Sequence, residues 1–230
     1  MLTQTQTRFR ETPAHHVSAV VRAAGVGSQM LFGCPELTGA AMAFERNAEV
    51  YGESETADYV YKVVSGAVRT YRVLSDGRRQ ISGFHLPGDV FGIEFGEEHS
   101  CSAEAITDSN ILVVRRSLVF KVAERNSDVA RQLWSLTATE LRRSQQHALL
   151  LIKSAQERLA AFLLEMAARL PVKSAVELPM SRQDIADHLG LTIETVSRTL
   201  TQLAGSSVIE LVASRRIVLR NRTTLSELNS

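Results

Sequence analysis

The segment from residue 58 to residue 115 constrains the fold most, because its apolar residues alternate with a period of two. Five runs are rich in β-branched and aromatic residues: DYVYKVV, AVRTYRVL, RRQISGFHL, CSAEAIT and NILVVRR. Such runs predict strands, and the Asp76-Gly77 pair between two of them predicts a hairpin. Short strands at this spacing are typical of a sandwich or barrel, and closure as a jelly roll protects their edges. We therefore predict an N-terminal β jelly roll over residues 31–126.

The pattern becomes helical at Ser127, and neither Gly nor Pro occurs from there until Pro171. A helix extending to about Ile152 would be roughly 39 Å long at 1.5 Å per residue, which is more than a small domain needs. We therefore expect a dimerisation helix over residues 127–153 that pairs with its symmetry mate in a homodimer. The alternative is a helix packed on its own β domain. The expected interface residues are Val129, Leu133, Leu136 and Leu151.

Two short helices are predicted in the stretch MSRQDIADHLGLTIETVSRTLTQL. Ser181 is the expected N-cap of the first helix, with Asp184 in a capping-box relation to it, and Gly190 ends that helix. Thr192 is the expected N-cap of the second. Two short helices joined by a tight, glycine-containing turn predict a helix-turn-helix.

The outward face of the second helix carries the candidate base-reading residues Ile193, Glu194, Ser197 and Arg198. In a helix-turn-helix, the N-terminal end of this helix enters the major groove. There a carboxylate accepts from cytosine, an arginine binds guanine through two atoms, and a serine reaches either kind of base edge. We therefore predict sequence-specific binding of double-stranded DNA. The alternative is that Glu194 and Arg198 form only an exposed ion pair.

A basic hairpin is predicted next, because SSVIELVASRRIVLRNR has the pattern strand, turn, strand. A basic hairpin beside a helix-turn-helix is a wing, and the winged domain is predicted over residues 154–230. A solvated charged turn is the alternative. The residues expected to contact DNA phosphates are Ser181, Thr192, Thr195, Arg215 and Arg216.

Composition and the remaining motifs narrow the function. The 26 Lys and Arg residues against 25 Asp and Glu residues give a net charge of +1, so DNA binding must depend on a local surface. Residues 1–30, predicted to be an N-terminal arm, contain no apolar signal core, and no run is long enough to span a membrane. A cytoplasmic protein is expected. Cys34 and Cys101 are isolated, and a jelly-roll metalloenzyme is disfavoured because its HxH…E ligand spacing is missing around His85.

The stretches YKVVSGAVR, FHLPGDVFG, SAQERLAAFLL and MSRQDIADHLGLTIETVSR together resemble the CRP/FNR superfamily of bacterial transcription regulators. The resemblance implies an α+β protein with a cyclic-nucleotide-binding-like jelly roll, no catalytic role, and RNA polymerase as a partner. The ETVSR core is similar to the FNR and FixK branch, and the chain most resembles rhizobial FixK proteins. This implies an activator of low-oxygen respiration and nitrogen-fixation genes that binds an inverted repeat like TTGAT-N4-ATCAA.

The sequence departs from cyclic-nucleotide-binding members of that superfamily. The stretch FGIEFGEEHSCSAEA provides Glu94 but no arginine, so a bound cyclic phosphate would lack a compensating cation. The N-terminal arm also lacks the cysteine cluster that would hold an iron-sulfur cluster. We therefore expect no cofactor. The alternative is an effector-gated regulator whose β-roll binds a small molecule or haem, the latter through His85 or His99.

Overall fold

The computed structural model describes residues 22–23, 29–170 and 175–228. The strands are β1 Arg22–Ala23, β2 Ala40–Phe44, β3 Glu49–Tyr51, β4 Tyr59–Ser65, β5 Val68–Val73, β6 Arg79–His85, β7 Val90–Phe91, β8 Ser102–Ala105, β9 Ser109–Arg115, β10 Val176–Glu177, β11 Ile209–Leu211 and β12 Arg216–Leu219. The helices are α1 Arg116–Ala123, α2 Ser127–Leu150, α3 Ala155–Arg169, α4 Arg182–Leu189, α5 Ile193–Gly205 and α6 Arg222–Leu228. This arrangement confirms the predicted α+β class.

The N-terminal half is a sandwich of two antiparallel sheets, which we call the β-roll. One sheet has the order β1-β2-β9-β4-β7 and the other the order β3-β8-β5-β6. Val63 and Ile111 of the first sheet pack against Val68 and Ala105 of the second, and all four side chains are fully buried. The Asp76-Gly77 turn joins β5 to β6, as the sequence predicts, with Gly77 at a φ of 82°.

The first strand of this sheet comes from the segment predicted to be an N-terminal arm. Its two residues pair with β2 in antiparallel register, Arg22 opposite Ala43 and Ala23 opposite Met42. The rest of that segment up to residue 28 lies outside the described residues. The sequence did not predict this pairing, because two residues are too few to show a period of two.

The long helix α2 begins at an N-cap, Asn126, whose side chain accepts from the backbone N–H of Asp128 and Val129. It ends at Leu150, slightly before the expected end, and Arg158 of α3 binds two carbonyls of the turn that follows. The Arg158 guanidinium donates to the Leu151 oxygen at 2.6 Å and to the Lys153 oxygen at 2.8 Å. None of the helices in the described residues has the length and apolar composition needed to cross a membrane.

Helix α2 has two apolar faces. On the inner face Val129 is 1% exposed, and it packs with the half-buried Leu133 and Leu136 against the chain's own β-roll. On the outer face Trp134 is 77% exposed and Leu141 is 59% exposed. Three of the four residues expected at a dimer interface therefore contact the β-roll, while a different stripe of the helix is open to solvent.

The apolar core of the C-terminal half continues onto the β-roll. Ile81 and Phe84 of β6 belong to the same buried cluster as Phe162 and Met166 of α3. The rings of Phe84 and Phe162 meet edge to face, with centroids 6.1 Å apart. The two halves of the chain thus share one hydrophobic core.

Ion pairs reinforce this junction at α4. Asp184, which is 4% exposed, accepts from Arg69 at 2.7 Å and from Arg79 at 2.8 Å. Arg79 also binds Asp187 at 2.8 Å, and Arg69 binds Glu104 at 2.7 Å. We call this group the α4 clamp. It fastens the first helix of the predicted helix-turn-helix to strands β5, β6 and β8.

A buried histidine completes the junction. The ring of His188 in α4 stacks on that of His147 in α2, with centroids 4.4 Å apart. Its Nδ1–H donates to the carbonyl oxygen of Ile81 at 3.0 Å, which defines the neutral tautomer because a carbonyl can only accept. Burial lowers the pKa of His188 to about 4, and repulsion from the nearby His147 is the second largest cause. His188 is therefore neutral near pH 7.

Replacing Arg79 with Met should lower the free energy of unfolding by about 1–3 kcal/mol, because it leaves buried carboxylate oxygens with fewer donors. Arg78→Met is the matched control. Its ion pair with Asp76 is exposed, so its loss should change stability by less than about 0.5 kcal/mol. Urea titration of both variants measures the difference, and equal losses would contradict a stabilising role for the α4 clamp.

Stability should fall between about pH 6.5 and pH 4 partly through His188. The unfolded histidine takes up a proton near pH 6.5, whereas the folded one resists protonation down to about pH 4, so acid favours the unfolded chain. His188→Asn keeps an N–H donor for Ile81 and cannot titrate. From pH 7 to pH 5, wild type should lose about 1–2 kcal/mol more unfolding free energy than this variant. The measurement is the free energy of unfolding of both proteins as a function of pH. An equal loss for wild type and His188→Asn would show that the prediction is wrong.

Candidate nucleic-acid interface

The turn between α4 and α5 is built from local signals that the sequence displays. The Ser181 hydroxyl accepts from the Asp184 backbone N–H while the Asp184 carboxylate accepts from the Ser181 N–H, which is the predicted capping box. Gly190 ends α4 in the left-handed region at φ 62° and ψ 41°, where glycine is not strained. Arg158 donates to the Leu189 oxygen at 2.8 Å, which holds the turn against α3.

Helix α5 buries one face and exposes the other. Val196, Leu200 and Leu203 are all buried in the shared core. Thr192 caps the helix, and its hydroxyl accepts from the Thr195 backbone N–H at 3.2 Å. The outward side of the first two turns consists of the exposed Ile193, Glu194 and Arg198 and the half-buried Ser197. We call these four residues the recognition face.

The charged groups of the recognition face are accessible to a ligand. Hydrogen bonds from the Glu194 backbone N–H and from Thr192 hold the pKa of the Glu194 carboxyl below its usual range, and the nearby Arg198 contributes least. Within the described residues, no ion pair of 4.0 Å or less joins Glu194 to Arg198. Both side chains are exposed, and the alternative of a local ion pair is not formed.

The residues expected to contact phosphates differ in exposure and in their internal hydrogen bonds. The Ser181 hydroxyl donates to Asp184 at 2.7 Å, so both of its hydrogen-bonding functions serve the capping box. Arg215 donates to the Pro179 carbonyl oxygen at 3.0 Å and is half-buried. Arg216, in contrast, is exposed at the start of β12. Arg216 is thus the more accessible of the two wing arginines.

The wing is the hairpin of β11 and β12, with Ile209 opposite Leu219. A short strand that the sequence did not predict, β10, adds to its other edge and makes a three-stranded sheet of order β10-β12-β11. Helix α6 follows and buries Leu225 in the shared core. The sheet and α6 complete a winged helix-turn-helix.

One residue near the recognition face was missed by the sequence analysis. Arg182 is the first residue of α4, and its Nη1 lies 3.3 Å from the hydroxyl oxygen of Ser197. A residue directly after a helix N-cap is ordinarily free to point into solvent. Only the angle between the two helices brings this side chain to α5, so no local pattern could have revealed it.

Comparisons with known proteins agree with this geometry. Residues 157–228 match the model of the Crp-like helix-turn-helix domain, and residues 41–126 match that of the cyclic nucleotide-binding domain. The nitrogen fixation regulation protein FixK of Azorhizobium caulinodans is 50% identical over 198 residues, which cover 84% of this chain and 80% of that protein. The transcriptional activatory protein AadR of Rhodopseudomonas palustris is 42% identical over 71% of this chain and 70% of its own length. The structure of FixK2 from Bradyrhizobium japonicum superposes with a TM-score of 0.81 at 53% identity, covering 84% and 98% of the two chains.

The chain belongs to the CRP/FNR family. It is a FixK-like transcription regulator with a DNA-binding helix-turn-helix, and its relatives are regulators and not enzymes. The predicted family and the predicted absence of an enzymatic role are thereby confirmed.

The β-roll of this CRP/FNR protein contains a cavity of about 260 Å³ beside α2. It is lined by Tyr51, Thr70, His85, Val90, Phe91, Gly92, Ile93, Glu94, Ser100, Cys101, Leu136, Thr137 and Glu140. Two carboxylates and no Lys or Arg are among these residues, and burial lowers the pKa of His85 to about 4, which leaves its ring neutral. A cyclic phosphate would be repelled there rather than compensated, so the lining does not fit a cyclic nucleotide.

The two histidines considered as haem ligands are packed among aromatic rings. His85 stacks on Phe91 with centroids 4.8 Å apart, and its Nε2 lies 3.2 Å from the Thr70 hydroxyl oxygen. His99 is buried and stacks on Tyr51 at 3.6 Å. Both rings fill the interior of the β-roll, which is the ordinary role of a buried histidine.

Proposed function

We propose that this chain is a homodimeric transcription activator that reads an inverted repeat through the recognition face of α5. The observation that carries the proposal is the exposure of Ile193, Glu194 and Arg198 at the N-terminal end of a helix whose other face is buried. That end of the second helix enters the major groove in helix-turn-helix proteins. We also propose that the chain is divided into a β-roll at 31–126, a dimerisation helix at 127–153 and a winged domain at 154–230.

The chemistry of the recognition face suits a half-site like TTGAT, which contains a single G·C pair. Arg198 can donate to guanine O6 and N7, while Glu194 can accept from the N4 amino group of the paired cytosine. Ile193 provides an apolar contact for a thymine methyl group. One donor, one acceptor and one apolar group thus match a G·C pair flanked by T·A pairs.

Phosphate contacts would position this face without reading sequence. Arg216 on the wing is the strongest candidate, because it is exposed. The side chains of Arg215, Ser181, Thr192 and Thr195 already take part in internal hydrogen bonds. The names of the relatives suggest nitrogen-fixation genes as targets, and we extend this to low-oxygen respiration, with RNA polymerase as partner in the cytoplasm.

The proposed dimer uses the outer stripe of α2, which consists of Trp134, Ala138, Leu141, Gln145 and Ala148. These exposed residues follow one another at alternating intervals of four and three, which is the spacing of a coiled-coil seam. Leu151 lies exposed just beyond the helix and can extend this seam. Val129, Leu133 and Leu136 would instead hold each helix on its own β-roll.

We propose that DNA binding needs no cyclic nucleotide, cofactor or other effector. The cavity lining does not fit a cyclic phosphate, and the α4 clamp holds the helix-turn-helix to the β-roll through groups of the chain itself. The alternative is gating by a small uncharged molecule in the same cavity. Titration of purified protein with operator DNA, with and without cyclic nucleotide, tests the proposal, and a large stimulation would contradict it.

Arg198→Ala should weaken binding to an operator by about 1–3 kcal/mol and reduce the preference at the G·C pair, where Glu194 still contacts the cytosine. Arg216→Ala is the control, because loss of a phosphate contact should weaken binding to all sequences alike and reduce the salt slope by about 1. Fluorescence anisotropy on operators changed at single positions measures both effects. Equal losses for Arg198→Ala on specific and random DNA would refute its base-reading role.

Leu141→Glu should dissociate the dimer, because it places two carboxylates at the centre of an apolar seam. Val73→Glu is the control, since Val73 is 60% exposed and lies on β5, outside the proposed seam. Sedimentation velocity should give a monomer for the first variant and a dimer for the second. A dimeric Leu141→Glu protein would show that the seam is not the interface.

A further inference from the structure

Arg182 joins the two helices of the helix-turn-helix at the recognition face. It is half-buried at the start of α4, and its Nη1 lies 3.3 Å from the Ser197 hydroxyl oxygen. Its Nε is buried and has no hydrogen-bond partner in the structure. The guanidinium is thus held in place by packing on one side and by Ser197 on the other.

The direction of this hydrogen bond follows from the chemistry of its partners. A guanidinium has donors only, so the Ser197 oxygen must accept from Arg182. A serine hydroxyl otherwise acts equally well as donor and acceptor. In the part of the chain that the structure describes, the Ser197 hydroxyl has no other hydrogen-bond partner. Its proton therefore remains available on the exposed side of α5.

We propose that Arg182 is a positioning residue for base selection, which makes Ser197 a hydrogen-bond donor toward the DNA. This inference rests on the proposed function, in which Ser197 faces the major groove. Arg182 occupies one of the two acceptor lone pairs of the Ser197 oxygen and turns the hydroxyl proton away from α4. Ser197 therefore favours base edges that present acceptors there, such as thymine O4, guanine O6 and N7, or adenine N7. The donor amino groups of cytosine and adenine find only one free lone pair and are disfavoured. The specificity of α5 thus depends on a residue of α4.

The competing role for Arg182 is a direct contact with a phosphate. A phosphate contact would strengthen binding to every sequence equally and would contribute to the salt dependence. A positioning role changes the preference for one base pair and acts only while Ser197 is present. These two behaviours can be separated by measurement.

The test is a double-mutant cycle of Arg182→Met and Ser197→Ala, measured on operators with every base pair of the half-site substituted in turn. Methionine keeps an unbranched apolar stem, and its introduction removes the buried unpartnered Nε–H, so the variant should fold. Thermal unfolding checks this. Arg222→Met is the matched control, because Arg222 is exposed and is the first residue of another helix, α6.

We expect Ser197→Ala and Arg182→Met each to reduce discrimination at the same base pair, by about 2- to 10-fold. The double variant should discriminate no worse than the single ones, and Arg222→Met should match wild type. A uniform loss of affinity for Arg182→Met, additive with that of Ser197→Ala, would overturn this inference but leave the proposed function intact. If Ser197→Ala changes discrimination at no position, the base-reading role proposed for Ser197 is wrong and the inference falls with it.

Discussion

The carboxylate of Asp184 connects the two halves of the molecule, because its two oxygens serve different partners. Oδ2 accepts from the backbone and hydroxyl of Ser181 and so starts α4, whereas Oδ1 accepts from Arg69 and Arg79 of the β-roll. A buried carboxylate is costly unless it is paired in this way. Helix α4 cannot turn about its axis without breaking one of these sets, and Gly190 fixes α5 relative to α4. The direction in which the recognition face points therefore depends on one side chain.

Charge is distributed in the chain in a way that the net value of +1 conceals. The acidic residues of α4 are neutralised inside the protein by arginines of β5 and β6, so they do not repel a phosphate backbone as free carboxylates would. Arg198 and Arg216 remain exposed and outside these internal pairs. A nearly neutral protein can therefore present a locally cationic surface to nucleic acid.

Local signals made much of the fold and the site predictable, and long-range contacts account for the rest. The capping box at Ser181, the left-handed Gly190 and the hairpin at Gly77 each depend on a few adjacent residues, and the structure contains all three. By contrast, Arg69 and Asp184 are 115 positions apart, and nothing near either one announces the other. The apolar spacing of α2 likewise predicted a partner surface, but it could not tell whether a second copy or the chain's own β-roll packs against Val129, Leu133 and Leu136. Very short elements such as β10 carry too few residues to show a period.

The shared core has a consequence for how such proteins can be recombined. Ile81 and Phe84 of the β-roll cover the same buried cluster that encloses Phe162 of the DNA-binding half. A fragment excised after α2 would carry this apolar patch uncovered, and such a patch promotes aggregation. We therefore expect the winged helix-turn-helix to be a poor portable module, and a chimaera that exchanges it between relatives to need a matching β6.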